Sequence, residues 1–128
     1  MRHTGVAVAL LLMASCSFAA TRKEWLTNVP QKERIRANPL ANNGDAVAAG
    51  AILYRRRCAS CHGNDALGLG RHPALRTDRV QHATDGELHW LLTNGELAGG
   101  MPAWSRLPDV QRWQLARYLH SLPVPAGQ

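Results

Sequence analysis

The stretch that decides the fold is Cys58-Ala59-Ser60-Cys61-His62. A bare C-x-x-C pair has three interpretations: a structural disulfide, a thiol redox pair, or half of a metal site. A thioredoxin-like redox pair requires a strand-to-helix context, which the surrounding sequence lacks. A structural zinc site normally requires four protein ligands, and the sequence after residue 20 has no second cysteine pair.

His62, directly after the second cysteine, indicates a fourth interpretation, which is covalent attachment of haem. Two thiols can add to the two vinyl groups on one porphyrin edge. The adjacent imidazole then lies over the iron, because a helical turn places positions 58, 61 and 62 on one side. We therefore predict that Cys58 and Cys61 hold one haem c covalently and that His62 is an axial iron ligand.

Met101 is the candidate ligand for the other axial side, in Gly99-Gly100-Met101-Pro102. Pro102 favours an extended backbone at Met101, and the two glycines let the chain approach a flat ring closely. A thioether opposite histidine stabilises Fe(II) and fills the last coordination site. His62 and Met101 therefore predict a one-electron carrier rather than an enzyme. The alternative is a haem enzyme, or a gas or peroxide sensor, in which Met101 is labile.

The remaining histidines, His72, His82, His89 and His120, are rival ligands. We expect each of them to be a surface side chain. His89 is the least ordinary of the four, because it stands beside Trp90 in a predicted helix.

The first twenty residues, MRHTGVAVALLLMASCSFAA, are typical of a secretory leader. Arg2 precedes an apolar run that is too short for a bilayer, which needs about 20 residues. Two cleavage sites stay open: ordinary cleavage with a leader of residues 1–19, or a lipoprotein leader of residues 1–15 followed by a lipidated Cys16. Both predict an exported, periplasmic protein, whose only membrane contact would be a lipid anchor on Cys16.

Three helices and no convincing strand are predicted after the leader, so the expected fold class is all-α. Asp45 is the expected cap of the first helix. Thr84 and Glu87 match a capping box at the start of the second. The last helix is expected from about Pro108 to just before Pro123. We expect residues 63–83, between the first two helices, to form a glycine-rich connection without a helix.

Residues 44 to about 122 resemble the class I monohaem c-type cytochromes. The motifs that carry the resemblance are Gly50-x-x-x-Tyr54-x-x-x-Cys58-x-x-Cys61-His62-Gly63, Pro73-x-Leu75, Gly100-Met101-Pro102 and Leu115-x-x-Tyr118. The resemblance implies a small cytochrome c fold, in which three main helices wrap around one covalently attached haem. It divides the mature chain into a basic extension over residues 20–43 and a cytochrome c domain over residues 44–128.

The resemblance also implies roles for particular residues. Gly50 and Tyr54 would cross the last helix near Tyr118. The carbonyl of Pro73 would accept a hydrogen bond from the second ring nitrogen of His62, which fixes the imidazole and makes it a stronger donor.

A weaker resemblance, carried by Trp90-Leu91-Leu92-Thr93-Asn94-Gly95 and the segment around Met101, is to small bacterial cytochromes found beside quinoprotein dehydrogenases. It implies that Trp90 approaches a haem propionate, and ordinary core packing of Trp90 stays open beside it. The expected partners are redox proteins, either a quinoprotein dehydrogenase or a terminal oxidase. We expect a monomer.

The net charge of +6 is spread unevenly along the chain. It divides into +1 from the leader, +3 from residues 20–43 and +2 from residues 44–128. The two propionates of a haem would offset the last of these, so no nucleic-acid-binding surface is expected. The consecutive Arg55, Arg56 and Arg57 are either a solvated helix end or a patch that steers an acidic partner.

Overall fold

Residues 26–127 are described by a computed structural model, and they form helices joined by loops. In chain order the helices are α1 (Gln31–Arg34), α2 (Asp45–Arg57), α3 (Ala59–His62), α4 (Asp78–Gln81), α5 (Asp85–Asn94) and α6 (Asp109–Ser121), with a 3-10 turn over Leu97–Gly99. Within the described range there are isolated β-bridges but no strand, which confirms the all-α prediction. The proposed leader, including Cys16, lies outside the described residues.

The three long helices, α2, α5 and α6, are the three predicted from sequence. The capping box of α5 is complete: Thr84 Oγ1 accepts from Glu87 N at 3.1 Å, and Glu87 Oε2 accepts from Thr84 N at 2.8 Å. The predicted cap of α2 is wrong. Asp45 is the first helical residue and Gly44 is the cap position, while Asn43 Oδ1 accepts from the Asp45 N–H at 2.9 Å in the turn that precedes the helix.

The connection over residues 63–83 contains one helical turn that the sequence analysis did not predict. Thr77 Oγ1 accepts from the Val80 N–H at 3.4 Å and caps α4. The side chain of Val80 is buried in the core. A cap and one apolar residue are therefore enough to form a single turn when the core covers it.

The crossing of α2 and α6 organises the core. A Cβ added at Gly50 would lie 2.7 Å from Tyr118 Cβ and would collide with the carbonyl of Gln114, so the two backbones can approach this closely only at glycine. The rings of Tyr54 and Tyr118 lie 5.3 Å apart beside the crossing. This is the crossing that the resemblance implied.

The extension before α2 packs against α5 and α6. A Cβ at Gly86 would collide with the carbonyl of Glu33, so α1 lies directly on the start of α5. The buried Asn38 donates from Nδ2 to the Trp113 carbonyl at 3.2 Å. No helix in the described part of the chain is both long enough and apolar enough to cross a bilayer.

Candidate functional site

The Cys58–His62 turn is formed by the end of α2 and the short helix α3. Cys58 N donates to the Tyr54 carbonyl at 2.8 Å, and the Cys58 carbonyl accepts from Cys61 N at 3.0 Å and from His62 N at 2.9 Å. The two thiols and the imidazole therefore stand on one turn of backbone. Cys58 is half-buried, Cys61 is exposed, and the two are not joined as a disulfide.

The environment of Cys58 is unsuited to thiol exchange. Burial, and then the neighbouring Cys61 thiol, raise the pKa of Cys58 to about 11. Redox thiols instead need a low pKa, because the thiolate is the reactive species. Residues 26–127 also contain no group of three His, Cys, Asp or Glu side chains arranged to hold a metal ion. A thiol redox pair is therefore disfavoured, and the described residues offer no metal site built from such a group of side chains.

The imidazole of His62 is oriented by Pro73. His62 Nδ1 lies 2.9 Å from the Pro73 carbonyl oxygen, and because a carbonyl only accepts, Nδ1 carries the proton. In the neutral ring Nε2 is then the nitrogen with the lone pair, and it makes no hydrogen bond within the described range. A neutral imidazole held in this way is the form that binds a metal ion.

Two contacts that the sequence analysis missed, one at a glycine and one at a tyrosine, support the segments that carry His62 and Pro73. Gly68 has a φ of +88°, and a Cβ there would lie 2.7 Å from the carbonyl oxygen of His72, so only glycine fits beside the segment that carries Pro73. Tyr54 Oη donates to the Gly63 carbonyl at 2.7 Å. The signal for the second contact is general, since a buried tyrosine hydroxyl usually has a partner.

Met101 is held by a short loop that leaves the end of α5. Its N–H and its carbonyl exchange hydrogen bonds with the backbone of Glu96, each of 3.0 Å. Gly95 has a φ of +72°, and a Cβ there would lie 2.7 Å from the Met101 carbonyl oxygen. Trp104 N donates to the Leu92 carbonyl at 2.8 Å and closes the loop.

The two halves of the candidate site share one apolar wall. Cys58 and Met101 both pack against the same buried cluster, which includes Tyr54, Leu88 and Leu115. The donor set is therefore two thiols, an imidazole with a free Nε2, and a thioether at the edge of one core.

Large apolar side chains are exposed in the two loops that follow His62 and precede Met101. Leu67, Leu69 and Leu97 are 40%, 56% and 74% exposed. An apolar prosthetic group bound at these loops would remove such surface from water. Together with the donor set, this exposed surface fits a haem c.

Trp90 lies on the opposite side of α5 from Leu88 and Leu92, the core residues two positions away on either side. It lines an open cleft of about 300 Å³ with polar neighbours that include Arg36 and Asn94. No contact in the described range joins it to the Cys58–His62 turn. The proposed approach of Trp90 to a haem propionate stays a prediction.

The expectation of surface histidines is wrong for His89. Its side chain is buried, stacks on the Trp113 ring at 3.9 Å, and hydrogen-bonds Asp109 Oδ1 through Nε2 at 2.9 Å. Burial, opposed by the Asp109 carboxylate, lowers the pKa of His89. His120 is also half-buried, against Asp85. A histidine on a helix can be buried when a residue far away in the sequence supplies its hydrogen-bond partner. The spacing of residues in the sequence does not reveal such a partner.

Comparison with known proteins identifies a family match over most of this fold. Residues 45–119 match the family described as cytochrome c oxidase, cbb3-type, subunit III. The cbb3-type oxidase subunit CcoP of Azospirillum sp. (strain B510) is 33% identical over 114 residues, which cover 78% of this chain and 38% of that subunit. The cytochrome c550 of Pseudomonas aeruginosa is 29% identical over 106 residues, which cover 80% of this chain and 70% of that protein.

A solved structure has the same fold. The cytochrome CL of Methylophaga aminisulfidivorans superimposes with a TM-score of 0.55 over 66% of this chain and 58% of that one, at 23% identity. This likeness confirms the small cytochrome c fold. The chain spans little more than a third of the length of the CcoP subunit it matches. The match therefore does not show that this chain is part of an oxidase complex.

Proposed function

The chain belongs to the cytochrome c family described as cbb3-type oxidase subunit III, and from that premise we propose that it is an exported, periplasmic one-electron carrier. Members of the cytochrome c family bind haem c covalently, and the haem supplies the iron that alternates between Fe(II) and Fe(III). The protein's own work is to hold the group, exclude water from it and present it to partners. Electron transport by a cytochrome c is the coarse function that the relatives support.

The proposed site assigns one role to each of five residues. Cys58 and Cys61 would form the thioether bonds, and His62 and Met101 would be the axial ligands. Pro73 is a positioning residue, because its carbonyl orients His62 at 2.9 Å. That hydrogen bond is the observation that carries the proposal, since it leaves Nε2 free on the turn that holds both cysteines.

The alternative of a haem enzyme or gas sensor requires a Met101 that leaves the iron readily. The backbone bonds between Met101 and Glu96 and the close packing at Gly95 favour a fixed methionine instead. We therefore propose no catalytic residue.

The finer features of the proposal concern export and partners. We propose a leader of residues 1–19, or of residues 1–15 with a lipidated Cys16, then the extension over residues 20–43 and the cytochrome c domain over residues 44–128. We propose a monomer that exchanges electrons with a dehydrogenase or a terminal oxidase complex. The name of one relative, an oxidase subunit, supports the second kind of partner.

Mass spectrometry and absorption spectroscopy of the purified mature protein test the proposal together. We expect the mass of one covalent haem and the weak near-infrared sulfur-to-iron band of the ferric form. We also expect the ferrous form to resist CO at neutral pH. A mass without haem contradicts the proposal, whereas haem with ready CO binding supports the enzyme or sensor alternative.

A further inference from the structure

The chain contains two Asn-Gly pairs, Asn43-Gly44 and Asn94-Gly95. In such a pair the asparagine side chain reacts readily with its own backbone, because glycine has no Cβ to shield the peptide nitrogen that follows the asparagine. That nitrogen can attack Cγ of the asparagine and close a succinimide ring. How each pair is held in the folded chain decides whether the attack takes place.

The Asn94-Gly95 pair is locked at the end of α5. The Gly95 N–H donates to the Leu91 carbonyl at 2.7 Å, and Asn94 Nδ2 donates to the Trp90 carbonyl at 2.8 Å. An added Cβ at Gly95 would lie 2.7 Å from the Met101 carbonyl oxygen, so the segment is also closely packed. The attacking nitrogen and the side-chain amide are therefore both held by other partners.

The Asn43-Gly44 pair, in the turn before α2, is open. Both residues are exposed, and an added Cβ at Gly44 would have no atom within 4 Å. The Gly44 N–H makes no hydrogen bond within the described range, and neither does Asn43 Nδ2, the nitrogen that would leave as ammonia. The attacking nitrogen of this pair is therefore accessible in the folded protein.

One hydrogen bond in this turn favours the reaction. Asn43 Oδ1 accepts from the Asp45 N–H at 2.9 Å, and the ring of atoms that this bond closes contains both Asn43 Cγ and Gly44 N. The bond therefore keeps the side-chain carbonyl beside the Gly44 peptide and polarises it. When Gly44 N adds to Cγ, negative charge develops on Oδ1, to which the Asp45 N–H already donates.

We propose that Asn43 is a modification site, at which spontaneous deamidation converts the asparagine to aspartate or isoaspartate. Gly44 N loses its proton and bonds to Asn43 Cγ, the bond between Cγ and Nδ2 breaks, and ammonia leaves. Water then adds to one of the two carbonyls of the succinimide and breaks the bond of that carbonyl to Gly44 N. Neither step requires an oxidant or a reductant.

The start of α2 can accept the negative charge of either product. In the aspartate product, the Asp45 N–H that donates to Asn43 Oδ1 would face a carboxylate. In the isoaspartate product, the former main-chain carbonyl becomes the carboxylate, and the Ala46 N–H already donates to that carbonyl at 3.2 Å. Negative charge is favourable near a helix N-terminus. We therefore expect the converted chain to stay folded and to accumulate.

Incubation of the purified protein at mildly alkaline pH, followed by peptide mapping with mass spectrometry, tests the proposal. In the folded protein, Asn43 should be converted faster than Asn94 by about tenfold or more, because the Asn94-Gly95 pair must first break two hydrogen bonds. In the urea-unfolded chain, where only the dipeptide matters, the two asparagines should react at similar rates. In water labelled with heavy oxygen, the converted Asn43 peptide should carry the label, because water opens the ring.

Gly44→Ala separates the chemistry from the fold. Gly44 has a φ of −61° and a ψ of −34°, and the space around it is open, so alanine should not lower the free energy of unfolding. Its Cβ would shield the attacking nitrogen and should slow the conversion of Asn43 by about tenfold or more. Asn42→Gln, which changes the exposed amide next to the pair, is the matched control and should leave that rate unchanged.

Three results would overturn the proposal. One is an Asn43 that stays intact in the folded protein over the time in which the unfolded chain is converted. The others are equal rates at Asn43 and Asn94 in the folded protein, or a rate in Gly44→Ala equal to that of the wild type. The proposed electron carrier does not depend on any of these results.

Discussion

The His62 side and the Met101 side of the candidate site are built in different ways. On the His62 side, bonds within one stretch of chain fix the ligand: α3 places the imidazole, and Pro73 orients it. On the Met101 side, the candidate ligand lies on the loop that follows α5. α5 in turn is held at its start by the extension, through Gly86 and Arg34.

The difference indicates which substitutions should disturb each candidate ligand. The His62 side depends on contacts between residues close in sequence, so a distant change should leave it intact. The Met101 loop is held by local bonds too, but α5, from which the loop leaves, is held by contacts between segments far apart in sequence. We therefore expect perturbations of the extension or of the Met101 loop to reach methionine ligation before they reach His62.

The largest expected effect is that of Gly95→Ala. The substitution combines a strained φ of +72° with a Cβ only 2.7 Å from backbone atoms of Met101 and Ala103, for a cost of about 3 kcal/mol. We expect a lower free energy of unfolding in guanidinium and loss of the near-infrared sulfur-to-iron band, while the covalent haem is retained.

Gly100→Ala is the control for that change. Gly100 has a φ of +87° but no atom within 4 Å of an added Cβ, so only backbone strain of about 1 kcal/mol applies. Equal losses of stability and of the band in the two variants would contradict the role assigned to packing at Gly95.

Tyr54→Phe is the corresponding test on the His62 side. It leaves the Gly63 carbonyl without the hydroxyl that donates to it at 2.7 Å, which costs about 1–2 kcal/mol of unfolding free energy. The sulfur-to-iron band should persist, because the Met101 loop is untouched. Tyr118→Phe is the control, since the Tyr118 hydroxyl makes no hydrogen bond in the described part of the chain. A band lost in Tyr54→Phe would show that the two sides are not independent.

Arg34→Met tests the link between the extension and α5. Arg34 is a third exposed, pairs with Glu87, and donates to the carbonyls of Leu26 and Val29. Its loss should cost about 1 kcal/mol. Amide hydrogen exchange should become faster in α5 and stay unchanged in α3. Lys32→Met, on the exposed face of α1, is the control and should leave amide exchange unchanged in both α5 and α3. Faster exchange in α3 of the Arg34→Met variant would contradict the proposed independence of the His62 side.

The smallest expected effect is a pH dependence from His120, which joins α6 to the start of α5. Its Nδ1 lies 2.6 Å from Asp85 Oδ1, and its Nε2 lies 3.0 Å from the Ala83 carbonyl oxygen. Both partners are acceptors, so the protonated ring is the form that interacts favourably with both. The Asp85 carboxylate, opposed by burial, raises the pKa of His120.

Because the folded-state pKa lies above the unfolded value of about 6.5, this contribution is complete below that pH and is lost as the pH rises through the folded-state pKa. Denaturation in guanidinium at several pH values should show that His120→Gln flattens this decline. His82→Gln, at an exposed histidine, should leave the decline as it is in the wild type. A wild type whose free energy of unfolding does not fall as the pH rises above about 6.5 would contradict the assignment.

Some sequence-based predictions succeeded because their signals are local. The capping box of Thr84 and Glu87 joins residues within one helical turn, so its bonds depend little on the rest of the fold. The same holds for the ends of α5 and α6, where Gly95 and Pro123 stop a helix through their own backbone chemistry.

Other predictions failed because the outcome depended on residues outside the motif. Asp45 does not cap α2, because the helix already begins at Asp45 and the preceding turn is closed by Asn43 Oδ1, which accepts from the Asp45 N–H. The turn of α4 was missed because its stability comes from burial of Val80, which the sequence of residues 63–83 does not reveal.

The sequence by itself determined the three long helices and nominated the Cys58–His62 turn and both candidate iron ligands, because each follows from residue type and short spacing. Only the tertiary structure decided that His89 is buried against Trp113 and that Gly86 lies against the extension. It also decided which arginines find acidic partners and which do not. These outcomes depend on segments brought together from distant parts of the chain, where side-chain volume and hydrogen-bond geometry choose among many pairings that the sequence alone permits.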